Sequence, residues 1–181
     1  MTLADRTPAP AEPVPTYRDA ARSIDERADD LLERMTHEEK LAQLGSYWAF
    51  EILTEGTLDP AKATARMAHG IGQVTRVVGC TNLGPQEGAR LANAIQRHLV
   101  EGTRLGIPAL VHEESLHGVM GHDRVCYPQS IGLAATWDPG LVERIAGRIG
   151  RELRGGGAHQ TLAPVVDISR DPRWGRFEET Y

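Results

Sequence analysis

Cysteine is nearly absent: Cys80 and Cys126 are the 2 among 181 residues, too few for a disulfide scaffold, although one bridge between them stays open. No window approaches the run of about 18 or more apolar residues that a membrane-spanning helix needs. Basic runs are missing too. With 20 Lys and Arg against 25 Asp and Glu, the net charge of -5 offers nucleic acid no electrostatic footprint and suits neutral or weakly charged ligands better. The first residues contain no apolar stretch of signal-peptide length, so the expectation is a soluble, cytoplasmic protein.

Several catalytic signatures are lacking as well. Neither Ser115 nor Ser130 sits in a Gly-x-Ser-x-Gly elbow, which argues against an α/β-hydrolase nucleophile. His112 and His117 stand five residues apart instead of four, the wrong spacing for two zinc ligands on one helix face. Gly155-Gly156-Gly157 closes a helical pattern instead of opening one, so it reads as a cap and not a phosphate cradle. No metal or other cofactor is expected.

What is present is a hydrophobic fraction of 40%, which lets a chain of this length bury a real core, roughly 70% of its unfolded surface. Residues 1–17, with Pro8, Pro10, Pro13 and Pro15, read as a flexible Pro/Ala-rich tail before a single domain over residues 18–181. Ser23 with Glu26, and Thr36 with Glu39, form two capping boxes that start two short helices. Asp59-Pro60 and Asp138-Pro139 each place a cap and a first-turn proline before a helical pattern, and Gly70 and Gly155-Gly156-Gly157 end those patterns. A fifth helix is expected from Pro85 to about Arg104, on the spacing of Leu91, Ile95 and Leu99.

Strand candidates are the short apolar runs 71–78, 107–112, 131–135 and 161–166. Their alternation with capped helices predicts an α/β fold of parallel βα units, either a barrel or a doubly wound sheet. In such folds reactive side chains gather where strands end. That rule singles out Glu113 and Glu114 after the second run and Asp167 after the last. It also takes in the cluster Arg170-Asp171-Pro172-Arg173-Trp174-Gly175-Arg176-Phe177-Glu178-Glu179. Carboxylates, guanidinium forks and an indole on one rim suit a sugar, whose hydroxyls bind the former and whose C–H face stacks on the latter. The plainer alternative is that Arg173 and Arg176 pair with Asp167, Asp171 or Glu179 and merely fasten a loop. Trp48 and Trp137 follow apolar residues and read as core or rim packing.

From Tyr17 onward these segments resemble the N-terminal domain of glycoside hydrolase family 3, the β-glucosidases, β-xylosidases and related exo-acting enzymes. The resemblance is carried by Gly70-Ile71-Gly72-Gln73-Val74, Leu105-Gly106-Ile107-Pro108 and Glu113-Glu114-Ser115-Leu116-His117-Gly118. It continues through Tyr127-Pro128-Gln129-Ser130-Ile131-Gly132-Leu133 and from Ala163-Pro164-Val165-Val166-Asp167 to Tyr181. It implies a (β/α)8 TIM-like barrel, of which only the N-terminal half is expected here, because a whole barrel takes about 250 residues. It further implies that Glu114 and Arg176 bind the sugar in the cleaved subsite, with Asp167, Arg173 and His117 organising that site. The Glu-x-Leu-His-Gly form at Glu114 is similar to β-xylosidase-like members. Family members hydrolyse with retention through a nucleophile and an acid/base, and neither is expected among these residues. The implied partners are a β-linked sugar or glycoside and the rest of the same enzyme, without nucleic acid or membrane. The alternative is a half-domain that binds carbohydrate or another partner without chemistry.

Overall fold

The computed structural model describes residues 14–181, so the proline-rich stretch from Met1 to Pro13 lies outside the described residues. The chain divides into two compact units, Met1–Lys40 and Leu41–Tyr181. In the first, a single 3-10 turn, Thr16–Arg18, precedes helix α1, Ile24–Arg34. The capping box forms as the sequence predicts: Glu26 N–H donates to Ser23 Oγ at 3.3 Å, and Ser23 N–H donates to the Glu26 carboxylate at 3.0 Å. The second box, Thr36 with Glu39, starts α2, His37–Gln43, whose last residues open the second unit.

The second unit is built on a parallel sheet with order β1-β4-β5-β6, comprising β1 Ser46–Trp48, β4 Gln73–Thr75, β5 Leu110–Glu113 and β6 Gln160–Thr161. Register is Ser46 to Gln73, Gln73 to Leu110 and His112 to Gln160, so the strands rise side by side and their C-terminal ends share one edge. Three helices connect them: α3 Pro60–Arg66, α4 Pro85–Gly102 and α6 Pro139–Gly155. Asp59 caps α3 by accepting the Ala61 and Lys62 N–H groups, and Asp138 caps α6 by accepting that of Leu141. At the far end of α6, Gly157 adopts φ 88° while Ala158 N–H returns to Leu153 O at 3.2 Å.

The core lies between sheet and helices. Val74 and Val111 present inward β-branched side chains, and Leu91, Ile95 and Leu99 form one stripe of α4, all of them buried. Ile149 and Leu153 of α6 and Met67 beyond α3 complete it. Full burial of each large apolar side chain contributes about 1.5–3 kcal/mol.

Three expectations need revision. The run 131–135 is not a strand but lies mostly within helix α5, Ser130–Ala134, where Leu133 N–H donates to Gln129 O at 3.0 Å. Periodicity cannot separate so short an apolar run, and alanine favours the helix. The last expected strand pairs only at Gln160–Thr161, because Pro164 has no N–H to give to a ladder; beyond it Val165 makes an isolated bridge to Thr180. Of the core-or-rim alternatives for Trp48 and Trp137, the core one is what fails: Trp137 is 92% exposed with a left-handed backbone, and Trp48, 42% exposed, packs at the rim beneath Arg76. Among the strands, β1 has no foreshadowing, nor does the hairpin of β2, Leu53–Thr54, with β3, Thr57–Leu58. Glu55 and Gly56, both at positive φ, make the tight turn of that hairpin.

Candidate functional site

The C-terminal edge of the sheet brings Trp48, Arg76, Glu113 and Glu114 together, each at or just beyond the end of a strand. Trp48 ends β1, Arg76 follows β4, Glu113 is the last residue of β5 and Glu114 the next. Alternation along β5 separates the two carboxylates. Val111 and Glu113 face the interior, whereas Glu114 has left the strand and is 19% exposed.

Glu113 is 2% exposed and accepts the Val78 N–H at 2.8 Å and the Gly79 N–H at 3.3 Å. Burial pushes its carboxyl above the usual carboxylate range, and the two backbone donors, together with the charges of Arg76 and Arg124, pull only partly the other way. Glu114 Oε1 lies 3.0 Å from Nη2 of Arg76. The Arg76 guanidinium in turn stacks over the Trp48 ring at 5.2 Å, with Phe50 a further 5.8 Å from Trp48.

His112 Nδ1 meets Gln73 Oε1 at 3.0 Å, and desolvation lowers the pKa of its ring. His117 Nδ1 lies 3.1 Å from Cys126 Sγ, so the two histidines turn to different partners. Among the described residues no group of three or more His, Cys, Asp or Glu side chains is arranged to hold a metal ion. Both cysteines are free thiols.

The arginine-rich segment is arranged differently from a single converging rim. Arg173 Nε donates to Asp171 at 2.9 Å and is held protonated by it, on an exposed loop. Arg176 Nε donates to Glu179 at 2.8 Å, and that bond is the main cause raising the guanidinium pKa; the charge of Glu114 is among the lesser causes. Asp167 pairs with neither arginine; it lines a hollow of about 480 Å³ with Arg170, Asp171 and Trp174. A second hollow, about 420 Å³, is lined by Arg76, His117, Arg124 and Cys126, and the two share no lining residue. A larger apolar hollow of about 650 Å³ beside α6 contains none of Glu114, Asp167, Arg173 or Arg176.

Arg76 is absent from the residues that the sequence singles out, and Trp48 is named there only as core or rim packing. The signal for Arg76 was available, since it follows a strand. The apolar run 71–78 continues past it, whereas the strand ends at Thr75, which hides the strand end in the sequence. Trp48 ends a strand too short to recognise.

Residues 36–181 match the sequence profile of the glycosyl hydrolase family 3 N-terminal domain. The chain is 34% identical to a putative beta-xylosidase of Formosa agariphila, over 91% of this chain and 22% of that protein. It is 35% identical to a probable beta-glucosidase C of Aspergillus flavus, over 92% of this chain and 28% of that protein. Among solved structures, a β-glucosidase from Erythrobacter marinus superposes with a TM-score of 0.80 at 36% identity, covering 92% of this chain and 22% of its own. The chain thus spans about a quarter of the length of these relatives, and its parallel sheet and helices correspond to a portion of the family's N-terminal barrel domain. It belongs to glycosyl hydrolase family 3.

Proposed function

We propose that this chain forms part of the sugar-binding subsite of a retaining exo-β-glycosidase that removes terminal β-glucosyl or β-xylosyl residues, with Glu114 and Arg176 binding the sugar. The observation that carries the proposal is the position of Glu114. It lies just past the C-terminal end of a parallel strand, with one oxygen held by Arg76. A carboxylate so placed accepts hydroxyl donors, and a guanidinium fork donates to hydroxyl oxygens. The relatives named beta-xylosidase and beta-glucosidase supply the substrate class.

No catalytic residue is assigned. Retention needs a nucleophile and an acid/base about 5–5.5 Å apart. Both oxygens of Glu113 accept backbone N–H groups inside the fold, and Glu114 is paired with Arg76, so neither is disposed to attack an anomeric carbon. In this reading hydrolysis draws its carboxylates from residues other than Glu113 and Glu114, and the chain by itself binds sugar without cleaving it. Asp167, Arg173 and His117 shape the surroundings of the subsite.

The test is titration of the 181-residue chain with 4-nitrophenyl β-D-xyloside and β-D-glucoside. Glu114→Gln and Arg176→Ala each remove a charged hydrogen bond, which weakens binding by about 1.5–3 kcal/mol, or about tenfold to a hundredfold in Kd. Unchanged binding in both variants refutes the subsite. Release of nitrophenol by the chain itself refutes the assignment of no catalytic residue.

A further inference from the structure

Arg76 has a left-handed backbone, φ 56°, which is uncommon for a residue other than glycine. Such a conformation persists only where its surroundings hold it, and here the restraints can be named. Arg76 N–H donates to His112 O at 2.8 Å, and Cys80 N–H returns to Arg76 O at 3.0 Å, closing a turn directly after β4. That turn is fastened to the neighbouring strand by Glu113, whose buried carboxylate accepts the N–H groups of Val78 and Gly79. At Gly79 an added Cβ would lie 3.2 Å from Glu113 Oε2 and 3.0 Å from Met120 O, so a glycine lets the carboxylate approach the backbone closely.

Beyond the turn, the Arg76 guanidinium is fixed on two sides, by the Trp48 ring at 5.2 Å and by Glu114 Oε1 at 3.0 Å. Its hold on one oxygen of Glu114 leaves the other to accept hydroxyls. Glu113 is buried on the turn after β4 while Glu114 is partly exposed and holds Arg76, so the side-chain contacts that link the two carboxylates run through that turn and Arg76.

We infer that Glu113, Arg76 and Trp48 form a positioning relay for Glu114: Glu113 locks the turn after β4, the turn aims Arg76, and Arg76, braced on Trp48, sets the orientation in which Glu114 meets the sugar. This rests on the reading of Glu114 as a sugar ligand. In this relay the three are positioning residues, and their effect on binding passes through Glu114.

A double-mutant cycle on the 181-residue chain tests this, with 4-nitrophenyl β-D-xyloside as probe and circular dichroism confirming that each variant is folded. Arg76→Ala raises Kd about tenfold in the wild-type background and less than about twofold when Glu114→Gln is already present. Glu113→Gln behaves alike, and loses most of its effect in the Arg76→Ala background. Equal losses in both backgrounds overturn the relay, because they mean that Arg76 acts without Glu114. If Glu114→Gln alone leaves Kd unchanged, the sugar-subsite reading fails instead. The relay is then judged by the Arg76 Nε–H signal in ¹⁵N-arginine-labelled chain. Collapse of that signal to the position of free arginine in Glu113→Gln sustains the lock, and an unmoved signal overturns it.

Discussion

Replacing Glu113 perturbs stability in a pH-dependent way whose sign follows from its burial. Glu113→Ala leaves the buried Val78 N–H, bonded at 2.8 Å, and the partly buried Gly79 N–H, bonded at 3.3 Å, without their acceptor. At about 1–3 kcal/mol for each donor left unsatisfied, the loss is about 2–6 kcal/mol, a large share of the roughly 5–15 kcal/mol of an ordinary domain. Glu113→Gln keeps the shape and one acceptor and so loses less. Its comparison with wild type carries the pH information. Desolvation raises the folded-state pKa of Glu113 above its unfolded value of about 4.5. Stability from this group is therefore fully present below about pH 4.5 and is lost as pH rises through the folded value. An amide has no such loss. The stability gap between wild type and Glu113→Gln is thus widest in acid and narrows towards neutral pH. Urea denaturation followed by tryptophan fluorescence, from about pH 4 upward, measures it. A gap that stays constant or widens with pH refutes the reasoning, because the carboxyl would then not be desolvated in the fold.

Other outcomes follow from packing and exposure. Leu99 is fully buried on the inward face of α4, so Leu99→Ala lowers unfolding stability by about 2–5 kcal/mol, read from the same denaturation curves. At Gly118, with φ 126°, an added Cβ would lie 2.2 Å from Val125 O, so Gly118→Ala forces the loop beneath His117 to shift; it destabilises by more than the 1–3 kcal/mol typical of backbone strain alone. Alkylation by iodoacetamide, followed by mass spectrometry, labels exposed Cys126 well before Cys80. The latter is half-buried, and its thiol pKa is pushed up by desolvation.

Helix starts were the most legible part of the sequence, because Ser23, Asp59 and Asp138 act on the first turn of their own helices and need no distant partner. Strands were harder. β1 contributes only Ser46–Trp48, and its pairing with β4 is a long-range fact that three residues cannot announce. Glu114 could be found because it follows a well-marked strand. The inward turn of Glu113 could not, since the strand runs one residue further than its apolar run suggests. The arginine cluster was visible as a cluster, but its internal pairings divided it. Asp171 and Glu179 lie within three residues of Arg173 and Arg176, and such local contacts form ahead of any convergence with Asp167.

The account turns on Glu114 and Arg176 as sugar ligands, and a ¹H–¹⁵N NMR titration of the chain with 4-nitrophenyl β-D-xyloside tests it most directly. Saturable shifts centred on the backbone amides at Glu114, Arg76 and Arg176, abolished or weakened about tenfold or more in Arg176→Ala, are the expected result. Shifts centred elsewhere, or a titration that Arg176→Ala leaves unaltered, would contradict it.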